Sequence, residues 1–123
     1  MQTQTELKIG IGKIESEKIS LKPAKVKIVG VSVEDTKKAK KVVYEVKHPD
    51  REEPIHISAV AYLFDRAIKV SGTWFNLDKD GQLQKGSANV VLLQRIGAAT
   101  LEEAIGKEVD TELDGNYLCF KAY

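Results

Sequence analysis

The chain has 123 residues, 42% of them apolar and 30% charged, with a net charge of +1. That length supports one hydrophobic core but not two, and no apolar run approaches the roughly 20 residues of a membrane span. A single cysteine, Cys119, excludes an internal disulfide, and with a Met1–Thr5 start that lacks the layout of a secretory signal it predicts a cytoplasmic setting.

In chain order, residues 1–23 read as an N-terminal arm, and residues 24–123 as a single domain. Within the arm, Leu7 to Ile14 alternates apolar with small or polar residues, which predicts a short edge strand weakened by Gly10 and Gly12. Pro23 marks the boundary. Lys25 to Val33 is the first domain strand, and Glu34 to Lys40 a loop. Lys41 to Lys47 is the second strand, with Val42, Tyr44 and Val46 on one face. His48 to Pro54 is a turn stiffened by proline at both ends. Ile55 to Phe64 alternates again, with Ile55, Ile57, Ala59, Ala61 and Leu63 on one face and His56, Ser58, Val60, Tyr62 and Phe64 on the other. After a turn at Asp65-Arg66, Ala67 to Leu77 is the next strand. Its parity groups Ile68, Val70 and Trp74, most simply core, against Lys69, Ser71, Thr73 and Phe75, then exposed. A bulge at Gly72 would reverse the assignment beyond it, leaving Trp74 either core or ligand-facing.

The helix signals follow. Ser87 is a good N-cap for Ala88 to Ile96, whose Val90, Val91, Leu92, Leu93 and Ile96 form a broad apolar stripe, and Gly97 suits a left-handed C-cap. Thr100 to Ile105 reads as a second short helix, with Thr100 and Glu103 as a capping box and Gly106 as its stop. Lys107–Leu113 and Asn116–Tyr123 then form a hairpin about Asp114-Gly115. Strands, a helix and a closing hairpin follow the element order of a five-stranded oligonucleotide/oligosaccharide-binding (OB) barrel. The sequence therefore predicts a mainly β fold: an OB-like barrel with one main helix between strands three and four, plus an extra N-terminal strand.

Two constellations suggest a ligand. Lys37, Lys38, Lys40 and Lys41 crowd five positions between the first two strands. Residues 1–60 hold twelve Lys/Arg against nine Asp/Glu and residues 61–123 seven against nine, so a cationic face must be local. Such a loop neutralises phosphates whatever their sequence. The same run also suits a solvated loop that keeps a strand edge soluble. The second constellation is aromatic. Tyr62, Phe64 and Phe75 are read as base-stacking rings, with Lys69 among them. The competing reading makes all of them packing residues.

Catalytic arrangements are scarce. There is no glycine-rich phosphate loop and no Cys-x-x-Cys pair, His48 and His56 merely flank a proline turn, and Glu52-Glu53 and Glu102-Glu103 are sequence neighbours. Asn76 to Leu83 resembles the first part of a calcium loop, but Ser87 stands where the bidentate Glu belongs. A polar turn at Asp80-Gly81 explains it equally well. The sequence thus predicts no enzyme, no cofactor and no metal site.

Lys85-Gly86-Ser87-Ala88 leading into Val91-Leu92-Leu93 and Gly97, then Leu101-Glu102-Glu103, Ile105-Gly106-Lys107-Glu108-Val109 and Gly115-Asn116-Tyr117-Leu118, resemble the C-terminal part of small phage- and archaeal-type single-stranded DNA-binding proteins with an OB-fold. The family's acidic tail and long clamping loop have no match in Phe120–Tyr123 or in the tight Asp114-Gly115 turn. The resemblance implies non-catalytic binding of single-stranded nucleic acid, DNA ahead of RNA, with little sequence preference. Together with the lysines and aromatics, that is the expected function. The alternative is a protein-interaction or structural module, such as a viral protein or complex subunit. Either reading allows a homo-oligomer formed through a strand edge, and neither involves a membrane.

Overall fold

A computed structural model describes residues 21–123. The expected edge strand at Leu7–Ile14 and most of the N-terminal arm lie outside the described residues. Eight strands, one α-helix and one 3-10 turn follow in order. The first five strands are β1 (Val26–Asp35), β2 (Lys40–Lys47), β3 (Ile55–Ile57), β4 (Ala59–Phe64) and β5 (Ala67–Gly72). Helix α1 (Ala88–Ile96) and the 3-10 turn Glu102–Ala104 come next. The chain continues through β6 (Glu108–Val109), β7 (Thr111–Asp114) and β8 (Tyr117–Ala122).

The strands form two four-stranded sheets, ordered β3-β2-β1-β6 and β5-β4-β8-β7. The described residues are mainly β with one α-helix, as the sequence predicts, but the ladders make two sheets rather than one closed five-stranded barrel. The helix falls between β5 and β6. Only Ser58 separates β3 from β4 and only Asp110 separates β6 from β7, so two chain segments each pass from one sheet to the other. All pairs are antiparallel except β4 with β8, which run parallel with Val60 beside Phe120.

Apolar residues of both sheets meet under the helix. Val26 and Ile28, Val42, Tyr44 and Val46, Val60 and Tyr62, Phe120, and Leu92 and Leu93 form the centre of one contiguous core. Tyr44 and Phe120 meet edge to face, with ring centroids 5.3 Å apart, a favoured aromatic geometry. Helix α1 packs on β4 and β8. Its ends are as the sequence predicts. Ser87 accepts from Val90 N–H at 3.4 Å, and Gly97 takes the left-handed conformation at φ 76°, which a side chain there would resist.

The second helix is shorter than its capping signal predicts. Thr100 Oγ1 accepts from Glu103 N–H at 3.1 Å, but Glu103 Oε1 accepts from Ala99 N–H at 2.9 Å rather than from Thr100. Gly106 then leaves the turn to serve a strand, donating to Ile28 O at 2.7 Å, while Ile28 N–H donates to Lys107 O at 2.9 Å. That exchange pins the connection to β1 after barely one turn.

Two strand assignments from parity are corrected. The expected strand Ile55–Phe64 is broken at Ser58. Ile57 is buried, and beyond the break Val60, Ala61 and Tyr62 are all buried, so both faces are covered there, while Leu63 is 61% exposed. The expected strand Ala67–Leu77 stops at Gly72. Lys69 is exposed as expected, but Ile68, Val70, Thr73 and Phe75 are inverted. Ile68 and Val70 are exposed, Thr73 is buried and Phe75 packs against the core. Thr73 explains the inversion. Its hydroxyl donates to Val42 O at 2.5 Å, its N–H to Ser58 O at 3.0 Å, and its carbonyl accepts from Val42 N–H at 2.8 Å. Three hydrogen bonds hold a threonine inward and turn the tryptophan beside it outward.

Candidate functional site

The lysine run folds into a tight turn. Thr36 Oγ1 accepts from the N–H groups of Lys38 and Ala39 at 3.2 and 3.1 Å, and donates to Ala39 O at 2.6 Å. Thr36 N–H also donates to Ala39 O at 2.9 Å. Lys37 and Lys38 therefore project from an ordered tip, and Lys40 and Lys41 start β2. The register sets Asp35 opposite Lys40 and Glu34 opposite Lys41. Two carboxylates thus sit opposite two of the four lysines, and the tip lysines Lys37 and Lys38 have none opposite them in the ladder.

Lys41 reaches an aromatic ring. Its Nζ lies 4.9 Å from the centroid of Trp74, within the range of a cation–π contact. The ring is placed by backbone pairing, because Lys41 bridges Trp74 and Phe75 N–H donates to Lys40 O at 2.9 Å. It is also placed from below: Asn89 Nδ2 on α1 donates to Trp74 O at 2.9 Å. Gly72 supplies the space, since a Cβ there would stand 3.0 Å from Trp74 Nε1 and 3.3 Å from Lys41 Cε. Val43 and Glu45 continue this face along β2, and Glu45 Oε2 lies 3.9 Å from His56 Nε2 on β3.

The aromatic residues named from sequence part company. Tyr62 is 5% exposed within the core, so its ring offers no open face. Phe75 is half-buried and lines a groove with Leu83 and Leu93. Phe64 is 58% exposed, and Lys69 Nζ lies 5.0 Å from its ring centroid. Phe64 and Lys69 are thus together, on the hairpin whose Asp65-Arg66 turn has φ of 53° and 71°. That hairpin is separate from the lysine tip. Sequence reasoning left the side of Trp74 open and missed Asn89 altogether. The available signal for Asn89 was a polar side chain on the stripe with Ala88, Leu92 and Leu93.

Other groups carry less. Asp78 Oδ1 accepts from the N–H groups of Asp80 and Gln82 at 2.9 and 3.0 Å, so the calcium-like segment is a side-chain-capped turn. Among the described residues no three His, Cys, Asp or Glu are grouped to hold a metal ion, and no helix is long and apolar enough to cross a membrane. Cys119 is buried, and burial, assisted by the carboxylates of Glu112 and Asp114, pushes its thiol up to about 11. His48 is fully buried: Nε2 lies 2.8 Å from Lys22 O, and Nδ1 accepts from Asp50 N–H at 3.0 Å. It closes the proline turn. No known protein family, curated protein or solved structure matches the chain.

Proposed function

We propose that the chain binds single-stranded nucleic acid, DNA ahead of RNA, without catalysis and with little sequence preference, on the face bearing Lys41 and Trp74. The observation that carries this reading is the 4.9 Å approach of Lys41 Nζ to the Trp74 ring, on the strand that leaves the Lys37-Lys38 turn. A partly open indole is a stacking platform, and stacking tolerates any base because every base has a π-face. The lysines beside it neutralise phosphates.

The strand path supports an OB-like reading of the fold. With β3/β4 counted as one strand bent at Ser58, and β6/β7 as one bent at Asp110, the neighbours run β1, β2, β3/β4, β8, β7/β6 and back to β1. Counted this way, with β5 set aside as a strand added beside β4, the order is compatible with a helix between strands three and four of an OB-like path. In such barrels the ligand lies on the face of strands two and three beside the first loop, which here means Lys41, Trp74 and the Lys37-Lys38 turn.

Anisotropy of a labelled thymidine oligomer tests this. Micromolar protein at low salt binds, and Trp74→Ala removes roughly 1–3 kcal/mol of the affinity. Tryptophan emission changes on titration. Absence of binding at low salt defeats the reading and favours the second one, a protein-interaction module. The β4–β5 hairpin supports that alternative, because Leu63 and Phe64 at its tip are mostly exposed.

A further inference from the structure

The β4–β5 hairpin leaves one strand edge open. Among the described residues β5 pairs only with β4, in an unbroken register from Gly72 opposite Ala59 to Ala67 opposite Phe64. A two-residue hairpin makes its flanking residues, Phe64 and Ala67, a hydrogen-bonded pair. The backbone groups of Ala67, Lys69 and Ser71 therefore point to β4, while those of Ile68, Val70 and Gly72 point outward. Natural edges are usually protected by bulges, proline or several charges. Six residues of β5 carry no bulge, no proline and one lysine. Beside them, Ile68 (46%), Val70 (37%) and Leu63 stand exposed on one face.

We propose that β5 is a self-association edge: two copies of this chain pair antiparallel along Ala67–Gly72 about a twofold axis at Val70, joining two four-stranded sheets into one of eight. Charge selects the register. Two symmetric registers use the outward groups of Ile68 and Val70 on both copies. One sets Ile68 opposite Val70 and forces Lys69 against Lys69, a like-charge pair that is destabilising. The other sets Val70 opposite Val70, Ile68 opposite Gly72 and Lys69 opposite Ser71, and has no charge conflict. It also sets Ile68 of one copy opposite Gly72 of the other, beside the Trp74 ring and the Lys41 side chain that lie over that glycine. The exposed stripe of Leu63, Ile68 and Val70 then continues across the axis. A six-residue edge buries less than the roughly 800 Å² per partner of a standard interface, so the dimer forms reversibly. This inference is independent of the nucleic-acid reading.

Sedimentation equilibrium of the full chain tests it. The mass rises from monomer to dimer as concentration increases through the micromolar range. Val70→Lys places two ammonium groups on the axis and weakens association at least tenfold. Val70→Pro removes an outward N–H without touching the β4 ladder and does the same, with the far-ultraviolet circular dichroism unchanged. A crosslink removes dependence on either variant folding well. In a hydrogen-bonded antiparallel pair the facing Cα atoms are about 5.5 Å apart, within disulfide range. Val70→Cys therefore oxidises to a covalent dimer, and Lys69→Cys does not. A monomer at every concentration, a dimer unaffected by both Val70 variants, or crosslinking through Lys69→Cys in preference to Val70→Cys overturns the proposal.

Discussion

The Tyr44 hydroxyl donates to Asn89 Oδ1 at 2.7 Å in the middle of the core. Asn89 then donates from Nδ2 to Trp74 O at 2.9 Å. Three elements distant in sequence are tied together: β2, α1 and the segment after β5. Neither side chain has water to fall back on, since both are fully buried. Burial also holds the Tyr44 phenol far above its ordinary range, in the state that donates. The consequence is functional, because the residue so anchored carries the indole under Lys41.

Asn89→Ala strands the Tyr44 hydroxyl and the Trp74 carbonyl. An unsatisfied buried polar group costs about 1–3 kcal/mol, so urea unfolding of the variant shows a loss of at least that size. Tyr44→Phe strands only the amide oxygen and loses less. If Asn89→Ala unfolds like the parent, the network has no role in holding Trp74.

Tyr62 and Trp74 are expected to exchange the roles that strand parity assigns them. Tyr62→Ala empties a filled core position and costs about 3–5 kcal/mol of stability. Trp74→Ala, at a partly exposed ring, costs less stability, and its emission in the parent is accessible to acrylamide. A blue-shifted, unquenched Trp74 signal reverses this assignment.

How much of this was readable from sequence follows from the range of the forces involved. Helix α1 was legible because Ser87 and Gly97 act on backbone groups within a few residues. The Lys37–Lys41 turn was legible for the same reason. Strand parity was legible too: Ile68, Val70 and Trp74 do share a face. Which face meets the core was not, because alternation has a period of two and no sign. That choice was made by Thr73 through bonds to Ser58 and Val42, and by the break at Ser58, both set by partners across the fold. Asn89 was hidden likewise, since Tyr44 lies 45 residues away. The candidate site inherits the pattern. Lysines in a local turn were found, and Phe64 with Lys69 were found as neighbours. Tyr62 lies in the core and Phe75 packs against it, and the side of Trp74 was left open because parity past Gly72 depends on whether a bulge intervenes.

Alkaline titration separates folded from unfolded chain. Burial raises the Cys119 thiol from its ordinary 9.0 to about 11, and burial raises the Tyr44 phenol as well. Between those thiol values the unfolded chain has released the proton and the folded chain still holds it, so stability falls as pH rises. Urea midpoints are expected to decline from pH 9 to pH 11. In Cys119→Ala the thiol part of that decline is gone. At pH 8 the native thiol resists alkylation until denaturant is added. Fast labelling of native protein contradicts the burial.

The salt dependence of binding distinguishes the turn tip from the strand. Each phosphate contact on a single strand contributes about 0.7 to the slope of log affinity against log salt. Lys37 and Lys38 project from the ordered turn with no carboxylate opposite them, so the double change to Ala lowers the slope by about 1.4. Lys40 faces Asp35 across the ladder. Removing its charge also releases that carboxylate, and the slope changes less for Lys40→Ala than for either tip lysine. Lys41→Ala differs again, because it removes the cation above Trp74 as well as a charge: affinity falls more than the slope accounts for. Titrations of a thymidine oligomer at four or five salt concentrations give each slope directly. Equal slope changes at Lys37, Lys38 and Lys40 would remove the turn tip as the principal phosphate contact.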